Sequence, residues 1–412
     1  MPRSAPILMV VLVAVACAAL ADWPQFQGPT RNGVAAKGVR ARTFGPNGPK
    51  IAWTVKVGPG FAAPAIRDGK VYLLDRPDRK QDVLRCFDLA KGTELWTYAY
   101  DAPGRLNYDG SRSTPAVDDK YVFTVGSFGD FHCIDLATHK AVWTKHLLKD
   151  HETKIPHWGV AQSPLLHKDL VIVAPQSRTV GVAAYEKTTG KLKWTSRPIG
   201  RMAYASPFLT TVDGVEQVVM LSANRIAGVS AADGELLWTY GGWRCNIPIA
   251  TPIALGDGMF LVTGGYDAGS ALFKVTRRDG KFTATTVKKI PDHGAQIHNP
   301  LIHKGHIYAQ CNTKTVRDGL MCFDLSGNVK WRTGQKPWFD WGGMLLAEGL
   351  IYMIDGKTGD LVIIDPKPEK YVELARGPVL SGRTIWGPIV LSGDRLVCRD
   401  QKQMRCVDLS VK

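Results

Sequence analysis

The chain has 412 residues, 45% hydrophobic and 22% charged, with 42 Gly, 25 Pro, 12 Trp and a formal net charge of +15. This content excludes a disordered or collagen-like chain, and a chain of this length can hold a core without metal or disulfide. The many Gly, Pro and Trp residues favour short strands and tight turns over long helices.

In chain order, residues 1–21 read as a secretory signal. Arg3 supplies positive charge, and Ile7 to Ala21 is an apolar run of 15 residues, shorter than the roughly 20 needed to span a bilayer. Ala19-Leu20-Ala21 matches the small-x-small cleavage pattern, which predicts a mature start at Asp22. A second reading stays open. Ala14-Val15-Ala16-Cys17 resembles a lipoprotein cleavage box, in which Cys17 would carry a lipid anchor. No later segment is long and apolar enough to cross a membrane. The expectation is an exported monomer, periplasmic or associated with the cell envelope. Loss of residues 1–21 removes one Arg and no acid, leaving +14. The basic residues form no run of five, so they suit a solvated surface or attraction to an acidic polymer or anionic lipid. Nucleic acid is not an expected partner, since no recognition motif is present.

After an extension over residues 22–50, one unit recurs to the end. A small residue followed by Pro appears at Ala63-Pro64, Thr114-Pro115, Ser163-Pro164, Ser206-Pro207, Thr251-Pro252, Asn299-Pro300 and Gly387-Pro388, with Gly343-Met344 as the eighth copy. The copies are 43 to 51 residues apart. Each starts an apolar strand, a turn such as Asp68-Gly69, a second strand, a third such as Leu84 to Leu89, and a fourth carrying Trp. The Trp occurs at Trp96, Trp143, Trp194, Trp238 and Trp331; in the fifth and seventh units Phe282-Thr283-Ala284 and Tyr371-Val372 are expected in its place. Four antiparallel strands per unit of about 44 residues is the pattern of a propeller blade. The eighth unit ends at Lys412 without a fourth strand, while an orphan strand, Ile51-Ala52-Trp53-Thr54-Val55, precedes the first. The prediction is an all-β, eight-bladed β-propeller over residues 51–412, with the N-terminal strand completing the last blade and removing its open edge.

Gly69-Lys70-Val71-Tyr72 and Asp88-Leu89-Ala90-Lys91-Gly92-Thr93-Glu94-Leu95-Trp96 resemble the tryptophan-docking blade of the pyrroloquinoline quinone (PQQ) repeat superfamily. Trp23-Pro24-Gln25-Phe26-Gln27-Gly28-Pro29 also resembles the start of exported proteins in this group. The resemblance implies a structural role for Trp53, Trp96, Trp143, Trp194, Trp238 and Trp331, each ring packed between blades with its indole N–H on a buried acceptor. Asp88, Asp135, Asp324 and Asp408 recur at equivalent positions and are expected to cap local turns. Two branches follow: quinone-dependent dehydrogenases, and non-enzymatic propellers like the outer-membrane assembly lipoprotein BamB.

The dehydrogenases the chain resembles bind calcium through Glu, Asn and Asp side chains and use a separate Asp base. The segments entering each innermost strand, which would line the channel mouth, hold almost no acids; Asp109 and Asp340 are the nearest. The adjacent Cys-Cys pair usual in those enzymes is absent, as are Cys-x-x-Cys-His, His-Glu-x-x-His and Gly-x-Ser-x-Gly. Gly356-Lys357-Thr358 reads as a hairpin turn, and His293, His298, His303 and His306 as loop residues, with His298 alone at the mouth. Cys86, Cys133, Cys322 and Cys406 share one place in four units and read as core fillers. Cys311 with Cys322 and Cys398 with Cys406 fall where cross-strand bonds would be allowed in an oxidising compartment.

The leading expectation is therefore a non-catalytic envelope scaffold that binds a protein or peptide segment, with no cofactor and no metal. The alternatives are a dehydrogenase holding PQQ with calcium, and a carbohydrate- or polymer-binding module. Arg112, Gln162, Tyr204, His298, Asn299, Trp341 and Trp386 are the candidate binding residues at the mouth, each with a packing role as its competing reading.

Overall fold

The computed structural model describes residues 22–38, 40–312 and 317–411. Residues 1–21, read above as a secretory signal and including Cys17, lie outside the described residues. Eight four-stranded antiparallel sheets form the propeller. The first blade shows the pattern, with strands Ala65–Arg67, Lys70–Asp75, Gln81–Asp88 and Glu94–Asp101 from the axis outward. Inner strands are almost wholly buried, while outer ones alternate between exposed and half-buried. This follows from sheet faces covered by neighbouring blades inside and by solvent outside.

The ring closes with chain ends paired. Lys50–Lys56 is the outermost strand of the eighth blade, beside Gln403–Asp408. Ile51 stands opposite Val407, and a bulge brings Trp53 opposite Cys406.

The docking tryptophans repeat one geometry with variations. The Nε1 atoms of Trp53, Trp143 and Trp331 each donate to a carbonyl of the next blade, at Leu89, Lys187 and Lys367, all at 2.8 Å. Gly92 sits under the Trp53 ring, where an added Cβ would meet it at 2.7 Å. Under Trp96 the same turn position is His139, at φ 59, and the two rings stack at 4.5 Å. Three of the six depart from the expected bond: Trp96 is half-buried, and its N–H finds no acceptor among the described residues. Trp238 donates within its own blade to Gln217 Oε1 at 2.6 Å. Trp194 is buried, and its N–H finds no acceptor among the described residues.

The expected Trp replacements are also corrected. In the first blade, Trp96 lies opposite Cys86, just before a bulge. The residues at that register are Lys288 in the fifth blade and Ala375 in the seventh. The fifth blade's last two strands, Gly269–Arg278 and Lys281–Ile290, are ten residues each. That extra length moves Phe282 to Ala284 out along the hairpin, away from the docking position.

Cys86, Cys133, Cys322 and Cys406 all lie opposite docking tryptophans, and Asp88, Asp135, Asp324 and Asp408 cap turns through backbone N–H groups. The two disulfide pairings fail. Tyr308 faces Cys322, and Val397 faces Cys406 while Cys398 faces Arg405. A shift of one residue turns a side chain to the opposite face, so the thiols are free.

The small-residue positions before proline form a belt around the axis. Thr114 N donates to Ser163 Oγ, Ser163 N to Ser206 Oγ, Ser206 N to Thr251 Oγ1 and Thr251 N to Asn299 Oδ1. Ser163, Ser206, Thr251 and Asn299 thus each satisfy the backbone of the predecessor in the neighbouring blade, while Thr114 Oγ1 has no partner among the described residues. The belt ends where the repeat offers Gly343, Gly387 and Ala63, which carry no acceptor.

Candidate functional site

One cavity of about 360 Å³ opens at the mouth, within the size range of ligand pockets. Its walls come from the segments entering the innermost strands. Its floor comes from the N-terminal extension. Trp23 pairs with Ile66 of the first blade, and Val34 lies parallel to Leu346 of the seventh. Between them the chain crosses the axis and places Phe26 and Gln27 in the cavity wall. Beneath, Arg31 is buried and its Nη2 donates to the carbonyls of Ser163 and Pro164 at 3.3 and 3.2 Å. Burial pushes the Arg31 guanidinium down to about 9. The channel is thereby a blind pocket.

Six of the seven mouth residues line this cavity: Arg112, Tyr204, His298, Asn299, Trp341 and Trp386. Gln162 does not. It is buried, with its amide closed on both backbone groups of Ala174 at 2.7 and 2.6 Å. Asn299 reaches the cavity wall, yet its Oδ1 is committed to the belt. His298 is also buried, with Nε2 donating to the Trp341 carbonyl at 2.9 Å, and burial lowers its pKa to about 4. It is a neutral imidazole at physiological pH. The other clustered histidines are elsewhere: His293 pairs with Asp318 at 2.9 Å, and His303 and His306 flank the hairpin turn.

Arg112 is the cation of the lining. Its guanidinium donates to the carbonyls of Gly110 at 2.7 Å, Asn107 at 3.1 Å and Tyr108, and lies 5.5 Å from the Phe61 ring centroid. Burial lowers its pKa to about 10. Around it the rings meet at open angles. Trp341 and Trp386 are 5.1 Å apart at 85°, Tyr108 and Trp386 5.7 Å at 45°, and Trp158 and Tyr204 5.4 Å at 55°. Trp341 adopts φ 23, a left-handed backbone that directs a bulky ring where ordinary conformations would not.

Phe26, Phe61, Tyr108, Trp158, Tyr266 and Gln296 also line the cavity and escaped the sequence reading. Tyr108 and Trp158 lie in loops ahead of the repeating motif, and Tyr266 lies between second and third strands, so the repeat register does not mark them. The Trp-Pro-Gln-Phe-Gln-Gly-Pro segment was a visible signal, but its passage across the axis was not.

Among the described residues no aspartate or glutamate lines the cavity; Asp340 lies behind the lining against Trp386, and burial raises its pKa. Asp109 is engaged by Arg79, Nε to Oδ2 at 2.9 Å, and accepts from Leu106 N. Among the described residues no group of three His, Cys, Asp or Glu is placed to hold a metal. A hard cation needs several oxygen ligands, commonly carboxylates, so this donor set does not fit calcium with a quinone.

A family model described as outer membrane protein assembly factor BamB matches residues 79–333. The chain belongs to this family. Among solved structures, BamB from Moraxella catarrhalis is similar at 13% identity and TM-score 0.60, covering 87% of this chain and 99% of that one. A europium-containing methanol dehydrogenase is similar at 14% identity and TM-score 0.64, covering 93% and 88%. The quinohemoprotein alcohol dehydrogenase from Comamonas testosteroni matches at 14% and 0.64, covering 95% and 81%. These likenesses establish the fold, which both branches share. Comparison with curated proteins finds no match. No helix among the described residues is long and apolar enough to cross a membrane.

Proposed function

We propose that this chain is an exported, non-catalytic propeller that serves as a protein-binding scaffold of the cell envelope, with a role in outer-membrane protein assembly by analogy with its family. The observation that carries this reading is the mouth itself: among the described residues, rings and one cation line the cavity and no carboxylate does. General acid–base chemistry needs a titratable group free to exchange a proton with the substrate; His298 is buried with Nε2 held by the Trp341 carbonyl, and the acid nearest the lining, Asp340, lies against Trp386. Exposed Tyr108 at the rim marks the face on which a partner segment would dock.

The test places a photo-crosslinking phenylalanine analogue at position 108 and irradiates whole envelopes. The expected result is one discrete crosslinked envelope protein. Absence of any specific adduct there, and at the neighbouring rim position 105, counts against the scaffold. Titration with PQQ and calcium is expected to give no spectral change. A saturable change with dye reduction by alcohols would replace this reading with a dehydrogenase, the activity of two of its structural relatives.

A further inference from the structure

The cavity's ring geometry and charge define a ligand class more narrowly than the scaffold reading, which this inference goes beyond and does not need. A flat cofactor is held best between parallel faces. The neighbouring ring pairs of the lining span 31° for Phe61 with Trp386 to 85° for Trp341 with Trp386, with 45°, 55° and 76° between, so the wall presents differently tilted faces. A puckered sugar ring suits such a wall. Its C–H-rich face lies against electron-rich ring faces, and most of its hydroxyls leave around the edge. The polar side chains of the wall include Gln296 and Ser206; Ser206 Oγ accepts the belt bond from Ser163 N and keeps its own proton to donate to a hydroxyl.

The charge selects further. Among the described residues Arg112 is the one cation of the lining, and its bonds go to backbone carbonyls. The pull of Asp109 reaches it, but that carboxylate is engaged by Arg79. A half-buried guanidinium without a carboxylate partner favours an anionic ligand, since charge-assisted bonds to carboxylate are the strong ones. The floor formed by Phe26 and Gln27 blocks threading, so the pocket admits an end and not the middle of a chain.

We infer that the mouth cavity is a binding site for a single acidic sugar residue, a hexuronate, its ring against the tilted aromatics and its carboxylate on Arg112. The same chemistry arises from a free uronate or from the terminal residue of an acidic polysaccharide.

The experiment follows intrinsic tryptophan fluorescence of the full mature chain, because Trp158, Trp341 and Trp386 line the cavity. Galacturonate and galactose differ at C6 alone, so this pair isolates the carboxylate. The expected result is saturable quenching by galacturonate, with binding of galactose at least about ten-fold weaker. R112Q is expected to lose a similar factor for galacturonate while leaving galactose unchanged. Y108A changes an exposed ring that can be removed without threatening the fold, and should weaken both sugars. Tighter binding of trigalacturonate than of the monomer would assign the polymer end, and equal binding the free sugar. No saturable quenching by galacturonate or glucuronate overturns the inference, as does equal affinity for galactose. Either failure leaves the crosslinking result standing, so the two readings fail separately.

Discussion

Trp53 Nε1 donates to the Leu89 carbonyl at 2.8 Å across the seam where the eighth blade meets the first. Its ring also covers Gly92, which sits at φ 73 with no room for a Cβ. Trp53 thus adds a packed ring and a side-chain bond across the seam to the strand pairing that closes the ring. W53A is expected to cost about 3–5 kcal/mol, as large aromatic truncations in cores do. G92A should also destabilise, through both the φ and the 2.7 Å approach. Urea denaturation of the two variants checks both.

The belt predicts unequal sensitivity among the repeats. S206A removes the acceptor of Ser163 N, which is buried in the inner ring. The expected cost is about 1–3 kcal/mol for an unsatisfied buried donor. Ala at position 387 removes no acceptor, because Gly already stands there, and its Cβ would meet nothing closer than Arg399 Cγ at 3.4 Å. A shift in urea midpoint for S206A at unchanged slope is the expected signature.

Beneath the cavity, Arg31 Nε and Nη1 have no partner among the described residues, and the side chain is buried. An uncompensated buried charge is a cost that an apolar side chain of similar volume avoids. R31M is expected to leave the unfolding midpoint unchanged or raise it. Deleting residues 22–38 should lower it and increase acrylamide quenching of the cavity tryptophans, because the floor is lost.

His298 gives a pH dependence of defined sign. Its folded pKa, about 4, lies below its ordinary value of 6.5. The unfolded chain therefore takes up the proton first. The stability tied to His298 is complete above pH 6.5 and declines as pH falls toward 4. H298Q should flatten the wild-type decline between pH 7 and pH 5 by about 2 kcal/mol. Denaturation at the two pH values measures it; identical slopes would refute the buried neutral imidazole.

The seven described cysteines are buried and free. Burial pushes the thiols of Cys86 and Cys406 up to about 12 and that of Cys322 to about 11. Thiolate is the reactive form, so native protein should react negligibly with a thiol reagent. Mass spectrometry without reductant is expected to find no Cys311–Cys322 or Cys398–Cys406 bond.

Blade number, strand order and the closing strand were legible because they are periodic. The spacing of Ala63, Thr114, Ser163 and their successors states the repeat directly, and the Lys50–Lys56 strand is conspicuous as the missing fourth strand. The candidate site was half legible. Arg112, Tyr204, His298, Trp341 and Trp386 follow from register, because the segments entering innermost strands converge on the axis. Register also misled. It placed Gln162 at the mouth, where the backbone of Ala174 absorbs its amide.

The sequence alone determined the repeating architecture and the aromatic mouth, because both are set by local spacing and hydrophobic alternation. Only the tertiary structure decided that the N-terminal extension crosses the axis, that Phe26 and Gln27 close the pocket, and that the thiols miss one another. Those outcomes depend on contacts between residues far apart in the chain and on single-residue bulges in strand register. Neither leaves a period in the sequence to be read.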